Sequence, residues 1–464
     1  MPDASLERGT AVNPLQAGKI WNNRALFSLL WPLIIEQILA VTMGAMDTIM
    51  VSPVGEHAVS AVNIIDNINN LLIIAFTAMC TGGAVVVSQY IGRRDFRDSS
   101  IASKQLVYIV TLISVIMTLI SVTFRRPIIS LIYGKIEDDV MKAASIYFLI
   151  TAISFPALAI NNANSALLRA IGNSRVPMLI ALLVNILNIG GNAFLIYGLK
   201  IGVAGAAIST LVCRITAATI TTVMLYRNKT SPISLAGLSE VRFIKSMIQN
   251  ILNVGLPSGI ESSMFQIGRL LTQRIFPVFG TSAMAGNAVT GVINSFSFMP
   301  GTAYGIALLT IVGQCVGAGD YTEAKKQTRK IMKLTYLTLF IMSTLIFIFM
   351  EPLVSMFSLS VEAHNLAKKF MSIHCISMAL GWPISFALPN ALRAAGDARF
   401  VMVASSISMW VVRVCAAYLF TFTLGVGPLG VWLAMGADFI ARGSAFTLRW
   451  RSGKWQEKRV IRDP

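Results

Sequence analysis

The sequence predicts an all-α integral membrane protein, with twelve transmembrane helices in two pseudo-symmetric six-helix bundles around a central cleft. Three observations predict it. The 464 residues are 55% hydrophobic and only 13% charged, whereas a soluble chain is about 45–50% apolar and about 25% charged. Apolar runs of about 20 residues, the length that crosses a hydrocarbon core, recur along the whole chain. A set of landmarks occurs twice, in the same order and in nearly one register, once in each half of the chain.

The mean hydropathy of +0.69 leaves too little charge to coat a soluble protein of this size, so the outer surface is matched to lipid. Runs broken by charge or by Gly/Pro clusters place spans near 26–52, 58–90, 103–124, 140–166, 176–197, 203–226, 246–276, 283–314, 331–350, 366–392, 399–421 and 428–450. The second and eighth are long enough to tilt or to extend past the bilayer. The polar stretch Met1 to Arg24 does not read as a cleavable signal peptide.

Lys and Arg test this count. Of the 38, 27 fall in segments on the N-terminal side, seven on the opposite side and four (Arg214, Arg269, Arg274, Arg413) within spans. That asymmetry puts both termini in the cytoplasm, and an even number of spans requires them to share a side. The net charge of +17 therefore reads as orientation signal rather than as a nucleic-acid surface, because the basic residues form short clusters between apolar runs.

The internal repeat organises the chain. Val87 to Phe96, with Gln89, Gly92 and Asp95, recurs as Val312 to Tyr321, with Gln314, Gly317 and Asp320. Pro32 and Glu36 find Pro257 and Glu261 in the same register, and Gly202 and Gly205 find Gly427 and Gly430. Leu168-Arg169 and Gly172 recur as Leu392-Arg393 and Gly396, in a register shorter by a single position. Each copy holds an even number of spans, so the copies run in the same sense and are related by an axis along the membrane normal. The expected organisation is a cytoplasmic segment 1–24, an N-lobe 25–226, a cytoplasmic linker 227–245, a C-lobe 246–450 and a basic cytoplasmic tail 451–464.

Charges inside spans are costly and mark pathways or pairing sites. Asp47 lies deep in the first span, and either binds Na⁺ or a proton or is permanently hydrogen-bonded to Thr or Asn neighbours. The first reading is favoured because a neutral Asn would serve packing more cheaply. Asn185, Asn188 and Asn192 are spaced to share one helical face of the fifth span, and Thr210 lies on the sixth. These side chains form either a set of hard oxygen ligands around Asp47 or an interhelical hydrogen-bond zipper.

Glu36 and Glu261 each follow a proline by one turn, at matching places in the two copies. They are either cleft carboxylates for a cation or partners of a kink or an arginine. Asp66, among the amides Asn63, Asn67, Asn69 and Asn70, lines the cleft or packs against the first span. Asp438 is expected to form a helix-surface pair with Arg442, one helical turn on. Arg214 and Arg413 read as counter-charges or snorkelling side chains, and His374 and the 22 methionines as packing.

The five cysteines are scattered through apolar segments without CxxC spacing and read as packed thiols. The sequence carries no GxxxxGK[ST] phosphate loop, no HExxH, no GxSxG and no clustered His/Cys set, so no enzyme is expected and no ATP-driven pump. No organic cofactor is implied, and the sole metal expected is Na⁺ at Asp47.

With these landmarks in place, the chain resembles the multidrug and toxic compound extrusion (MATE) family from Trp31-Pro32 to Gly430. The carriers are Asp47 to Val51, Gln89 to Gly92, Leu168 to Pro177, Gly255-Leu256-Pro257, Val312 to Gly317 and Leu392 to Asp397. The resemblance implies export of small, often cationic, organic compounds in exchange for inward H⁺ or Na⁺; the expected setting is a bacterial-type inner membrane, with the chain working by alternating access as a monomer among membrane lipids. It is closer to the DinF-like branch, whose N-lobe cation site implies roles for Asp47, Asn188 and Thr210. That branch has a second Asp where this chain has Asn192, which removes a charge. The NorM-like branch carries a Glu where this chain has Phe265, with Glu261 one turn early. The alternatives are a lipid-linked precursor flippase of the related superfamily and an uncoupled channel or scaffold.

Overall fold

The computed structural model describes residues 21–134, 136–228, 231–238, 240–458 and 460–461. Most of the N-terminal segment, residues 1–20, lies outside them, as do parts of the linker and of the basic tail. All regular structure among the described residues is helical.

Twelve helical passages follow one another. The first three are α1 (Asn23–Val51), α2 (Glu56–Gly92) and α3 (Phe96–Thr123). A short α4 (Arg125–Tyr133) leads to the fourth passage, made of α5 (Asp138–Ile153) and α6 (Phe155–Ala170). The fifth is α7 (Arg175–Asn192) with a π turn at Ala193–Gly198, and the sixth is α8 (Val203–Arg227). The second half opens with α9 (Lys245–Gln273), then α10 (Gly280–Ser297) and α11 (Met299–Gly317) as one broken passage, then α12 (Tyr321–Ile348). After a short α13 (Met350–Ser355), α14 (Val361–Leu380) and α15 (Leu388–Ala394) form the tenth. The eleventh is α16 (Ala398–Ile407) and α17 (Cys415–Tyr418), interrupted by π turns, and the last is α18 (Leu429–Arg451).

Eight of these helices, and two bent pairs, are long and apolar enough to cross a membrane. The other two passages, α9 and α18, are less apolar and carry buried charged groups, Glu261 on one and Asp438 and Arg442 on the other. The fourth and tenth passages, expected as single spans, bend by 46° and 61°. Pro156 and Pro383 stand just past each bend, where a missing N–H and a ring clash prevent the preceding helix from running straight on. The eighth passage likewise breaks at Phe298, before Pro300.

Packing crosses between the halves at their first helices. Leu26, Leu29, Leu30 and Leu33 of α1 belong to the apolar core of the second half. Met247, Ile251 and Val254 of α9 belong to that of the first. The crossing is close: a Cβ on Gly82 of α2 would lie 2.3 Å from the Ile251 carbonyl oxygen, a spacing only glycine allows.

The halves are clasped at one end. A Cβ on Gly92 would lie 2.0 Å from the carbonyl oxygen of Gln314, and one on Gly317 would lie 2.0 Å from that of Gln89. Gln89 Nε2 donates to the Ala394 carbonyl at 2.7 Å, and Gln314 Nε2 donates to the Ala170 carbonyl at 2.8 Å. Thr310 Oγ1 adds a bond to the Arg169 carbonyl at 3.2 Å, and Gln327 Nε2 one to the Trp21 carbonyl at 3.0 Å. Among the described residues, every hydrogen bond between the two six-passage bundles lies at this end.

Candidate functional site

Asp47 sits near the end of α1 that lies away from the clasp, and it is 7% exposed. Its Oδ1 accepts a 2.6 Å hydrogen bond from Asn192 Nδ2 at the end of α7. Asn192 Nδ2 also reaches Asn188 Oδ1 at 3.3 Å, and Asn188 Nδ2 reaches Thr210 Oγ1 on α8 at 3.5 Å. The α7–α8 contact is tight because Gly191 leaves room for Ser209, whose Oγ donates to the Asn188 carbonyl at 3.1 Å. The structure thus brings Asp47, Asn188, Asn192 and Thr210 into one chain of contacts.

No Lys or Arg nitrogen lies within 4.0 Å of the Asp47 carboxylate among the described residues. A carboxylate in a protein interior is costly unless paired, and amides supply dipoles without neutralising it. The Asn192 carbonyl oxygen is buried with no hydrogen-bond partner. Carboxylate, amide and hydroxyl oxygens together are the donor set of a hard cation, and the carboxylate alone is a proton acceptor.

Asp66 on α2 forms a second group. Asn69 and the buried Tyr147 stand beside it, and the charges of Asp47 and Arg214 act on it. Arg214 donates to Ser154 Oγ at the bend of the fourth passage, at 2.7 Å. Among the described residues Arg214 makes no ion pair within 4.0 Å, but its charge bears on Asp47 and Asp66. Tyr147, Ser154 and Ser209 had no signal in the sequence, because a lone hydroxyl in an apolar span carries no spacing to read.

The other candidates fall elsewhere. Asn185 donates to the Ala181 carbonyl of its own helix at 2.9 Å, and among the described residues no hydrogen bond joins it to Asp47, Asn188 or Asn192. Glu36 is drawn to Arg169 at 2.6 Å. Glu261 pairs with Arg393 at 2.6 Å and accepts from Ser405 Oγ at 2.7 Å. Of the two readings open for these glutamates, the arginine pairing is the one present.

Asp438 departs from expectation. It lies 3.6 Å from Arg442, as the one-turn spacing implied, but it is fully buried rather than on a helix surface. Its face of α18 packs on the eleventh passage, where Arg413 lies 3.8 Å away and Ser408 Oγ donates to Oδ1 at 2.6 Å. His374 is buried, 3.1 Å from Ser297 Oγ and edge-on to Trp432.

The comparisons with known proteins agree with this architecture. The MatE family pattern matches residues 32–194 and again 257–419, two stretches that begin at the matching prolines Pro32 and Pro257 of the internal repeat. The "Uncharacterized transporter YisQ" of Bacillus subtilis (strain 168) is 29% identical over 442 residues, covering 94% of this chain and 95% of the relative. The "Probable multidrug resistance protein NorM" of Thermotoga maritima is 27% identical over 445 residues, covering 94% of each. Among solved structures, "Outward-facing conformation of a multidrug resistance MATE family transporter of the MOP superfamily" superposes with a TM-score of 0.87 at 18% identity, covering 94% of this chain and 96% of that one. "Crystal structure of MATE in the bent conformation" gives 0.86 at 18% identity, covering 92% and 94%.

Proposed function

Because this chain belongs to the MatE family, we propose that it is a secondary active exporter of small, often cationic, organic compounds, driven by inward movement of H⁺ or Na⁺ across a bacterial inner membrane. The observation that carries the reading is Asp47: a buried carboxylate without an ion pair, held in place by Asn192 and adjoining an unpartnered amide oxygen. Such a group gains a partner when it takes up a cation or a proton.

The working cycle follows from two features. The clasp of Gln89, Gln314, Gly92 and Gly317 closes one end, and the excess of Lys and Arg near that end assigns it to the cytoplasm. On this reading the closed end is the cytoplasmic one, and both termini lie inside the cell. Ion uptake at Asp47 drives export only if the ion binds the outward-open and inward-open arrangements with different affinity. Asn192 sits at the junction of α7 and its π turn, so a change in the Asp47–Asn192 bond acts directly on the packing of the fifth passage.

Inside-out vesicles test the reading against an uncoupled channel. The expected result is saturable dye uptake that requires an imposed H⁺ or Na⁺ gradient. Uptake that is linear in dye concentration and indifferent to both gradients overturns it.

A further inference from the structure

The second half does not repeat the chemistry of the Asp47 site. With the copies aligned on Gly202 and Gly427, Arg413 stands where the first half has Asn188, Ala417 where it has Asn192, and Met435 where it has Thr210. The local backbone differs as well. Between the matched pair Arg175 and Arg399 and the matched pair Gly202 and Gly427, the second copy gains a single position over the first. In that interval the second copy contains a π turn, Ser408–Val414, where the first has regular α-helix up to Asn192. A π turn takes up a single insertion and re-aims the side chains on it, and Arg413 is one of those side chains.

The result is a buried group of excess positive charge. Arg413 and Arg442 are 7% and 2% exposed, and both face one carboxylate, Asp438. They approach its Oδ2 only to 3.8 and 3.6 Å, too far to hydrogen-bond. Arg413 Nε and Arg442 Nε and Nη2 are buried without any hydrogen-bond partner. Arg269 on α9 is exposed, and its charge also bears on Arg413. Two buried cations thus share one acid here, whereas in the first half the charge of Arg214 bears on two acids, Asp47 and Asp66.

Two aromatic rings complete the surroundings. Arg413 and Arg442 lie over Phe265 at 5.4 and 5.5 Å, and Arg442 lies over Phe386 at 4.3 Å. Unpaired guanidinium N–H groups in an apolar interior are costly. Their planar forks match an oxyanion with two oxygens, and the rings beside them suit an apolar body.

We propose that the Arg413–Arg442 pair is a binding site for an oxyanion, a carboxylate or a phosphate, carried by an amphiphilic molecule. The inference rests on the export reading and narrows it: where the first half offers an uncompensated carboxylate, the second half offers guanidinium groups to the anionic end of a substrate.

Equilibrium binding tests this without a gradient, using rhodamine B, which bears a free carboxylate, and its ethyl ester, which does not. In dodecyl maltoside micelles, which carry no phosphate, the unmodified chain is expected to bind the acid about tenfold more tightly than the ester, the scale of a hydrogen bond to a charged group. Arg413→Gln and Arg442→Gln abolish that preference while keeping ester binding, which shows that the variants are folded. Asp438→Asn, which removes the competing carboxylate, increases it. If Arg442→Gln fails to fold, Arg442→Gln with Asp438→Asn, which leaves no unpaired acid, takes its place.

Loss of the preference on adding soluble dihexanoyl phosphatidylglycerol identifies a lipid phosphate as a competing occupant, and persistence identifies the solute's carboxylate; both support an oxyanion site. Equal binding of acid and ester by the unmodified chain in phosphate-free dodecyl maltoside overturns the proposal. A retained preference in a protein that shows no gradient-driven efflux contradicts the export reading alone.

Discussion

The Glu36 carboxylate and the Arg169 guanidinium meet at 2.6 Å, tying the first passage of the chain to the end of the fourth. The second half repeats the pairing between Glu261 and Arg393, also at 2.6 Å. All four side chains are mostly buried, so each pair binds two helices near the clasp rather than offering a charge to the cleft.

Removing one partner therefore costs more than removing both. Glu36→Gln leaves Arg169 unpaired and is expected to lower stability by up to about 3 kcal/mol, and the double variant Glu36→Leu, Arg169→Leu to recover much of it. Thermal unfolding in detergent measures both. A single variant as stable as the unmodified protein refutes the pairing's structural role.

The clasp predicts a conformational effect from two glycines. Gly317→Ala puts a Cβ 2.0 Å from the Gln89 carbonyl oxygen, and Gly92→Ala does the same against Gln314. Neither helix can yield without separating the halves. In a cysteine-free background, Ala394→Cys is buried and is expected to resist a membrane-impermeant maleimide, and to become reactive once Gly317→Ala is added. Unchanged protection shows that the closed end tolerates the methyl group.

A gentler opening comes from the glutamine bonds. Gln89→Leu and Gln314→Leu each delete one hydrogen bond between the halves, worth about 1 kcal/mol. Each is expected to shift the balance of closed and open forms about fivefold, by similar amounts, because the two bonds are matching copies. Distance distributions between spin labels on the two lobes measure the populations. A large effect from one variant and none from the other refutes the equivalence.

Much of this arrangement was legible in the sequence. The twelve passages followed from apolar runs, and the grouping of Asp47, Asn188, Asn192 and Thr210 from helical spacing joined to a family resemblance. The bends before Pro156 and Pro383 were not read, because a proline near a helix start reads as a normal first-turn residue as easily as a break. The Glu36–Arg169 pair remained one of two readings because its members lie on helices far apart in the chain. For Asp438 the one-turn spacing found the right partner and the wrong environment: spacing along one helix does not say which neighbour covers that face. The link between Asp66 and Tyr147 was equally out of reach.

The two asparagines of the fifth passage separate site from scaffold. Asn192→Leu removes the 2.6 Å donor to Asp47 and is expected to abolish gradient-driven efflux. Asn185→Leu, which gives up only a bond within its own helix, is expected to leave efflux near the unmodified level. Dye efflux from proteoliposomes compares them; equal activities refute the assignment of Asn192 to the site.

The central claim is that the Asp47 carboxylate exchanges a cation for substrate, and Asp47→Asn tests it most directly. The substitution keeps the shape and the capacity to hydrogen-bond with Asn192 while removing the charge. Dye efflux is measured in proteoliposomes under an H⁺ gradient and, separately, under a Na⁺ gradient. The expected result is a folded protein that still binds dye but no longer moves it under the gradient that drives the unmodified chain. Efflux by Asp47→Asn at the unmodified rate under that same gradient contradicts the claim.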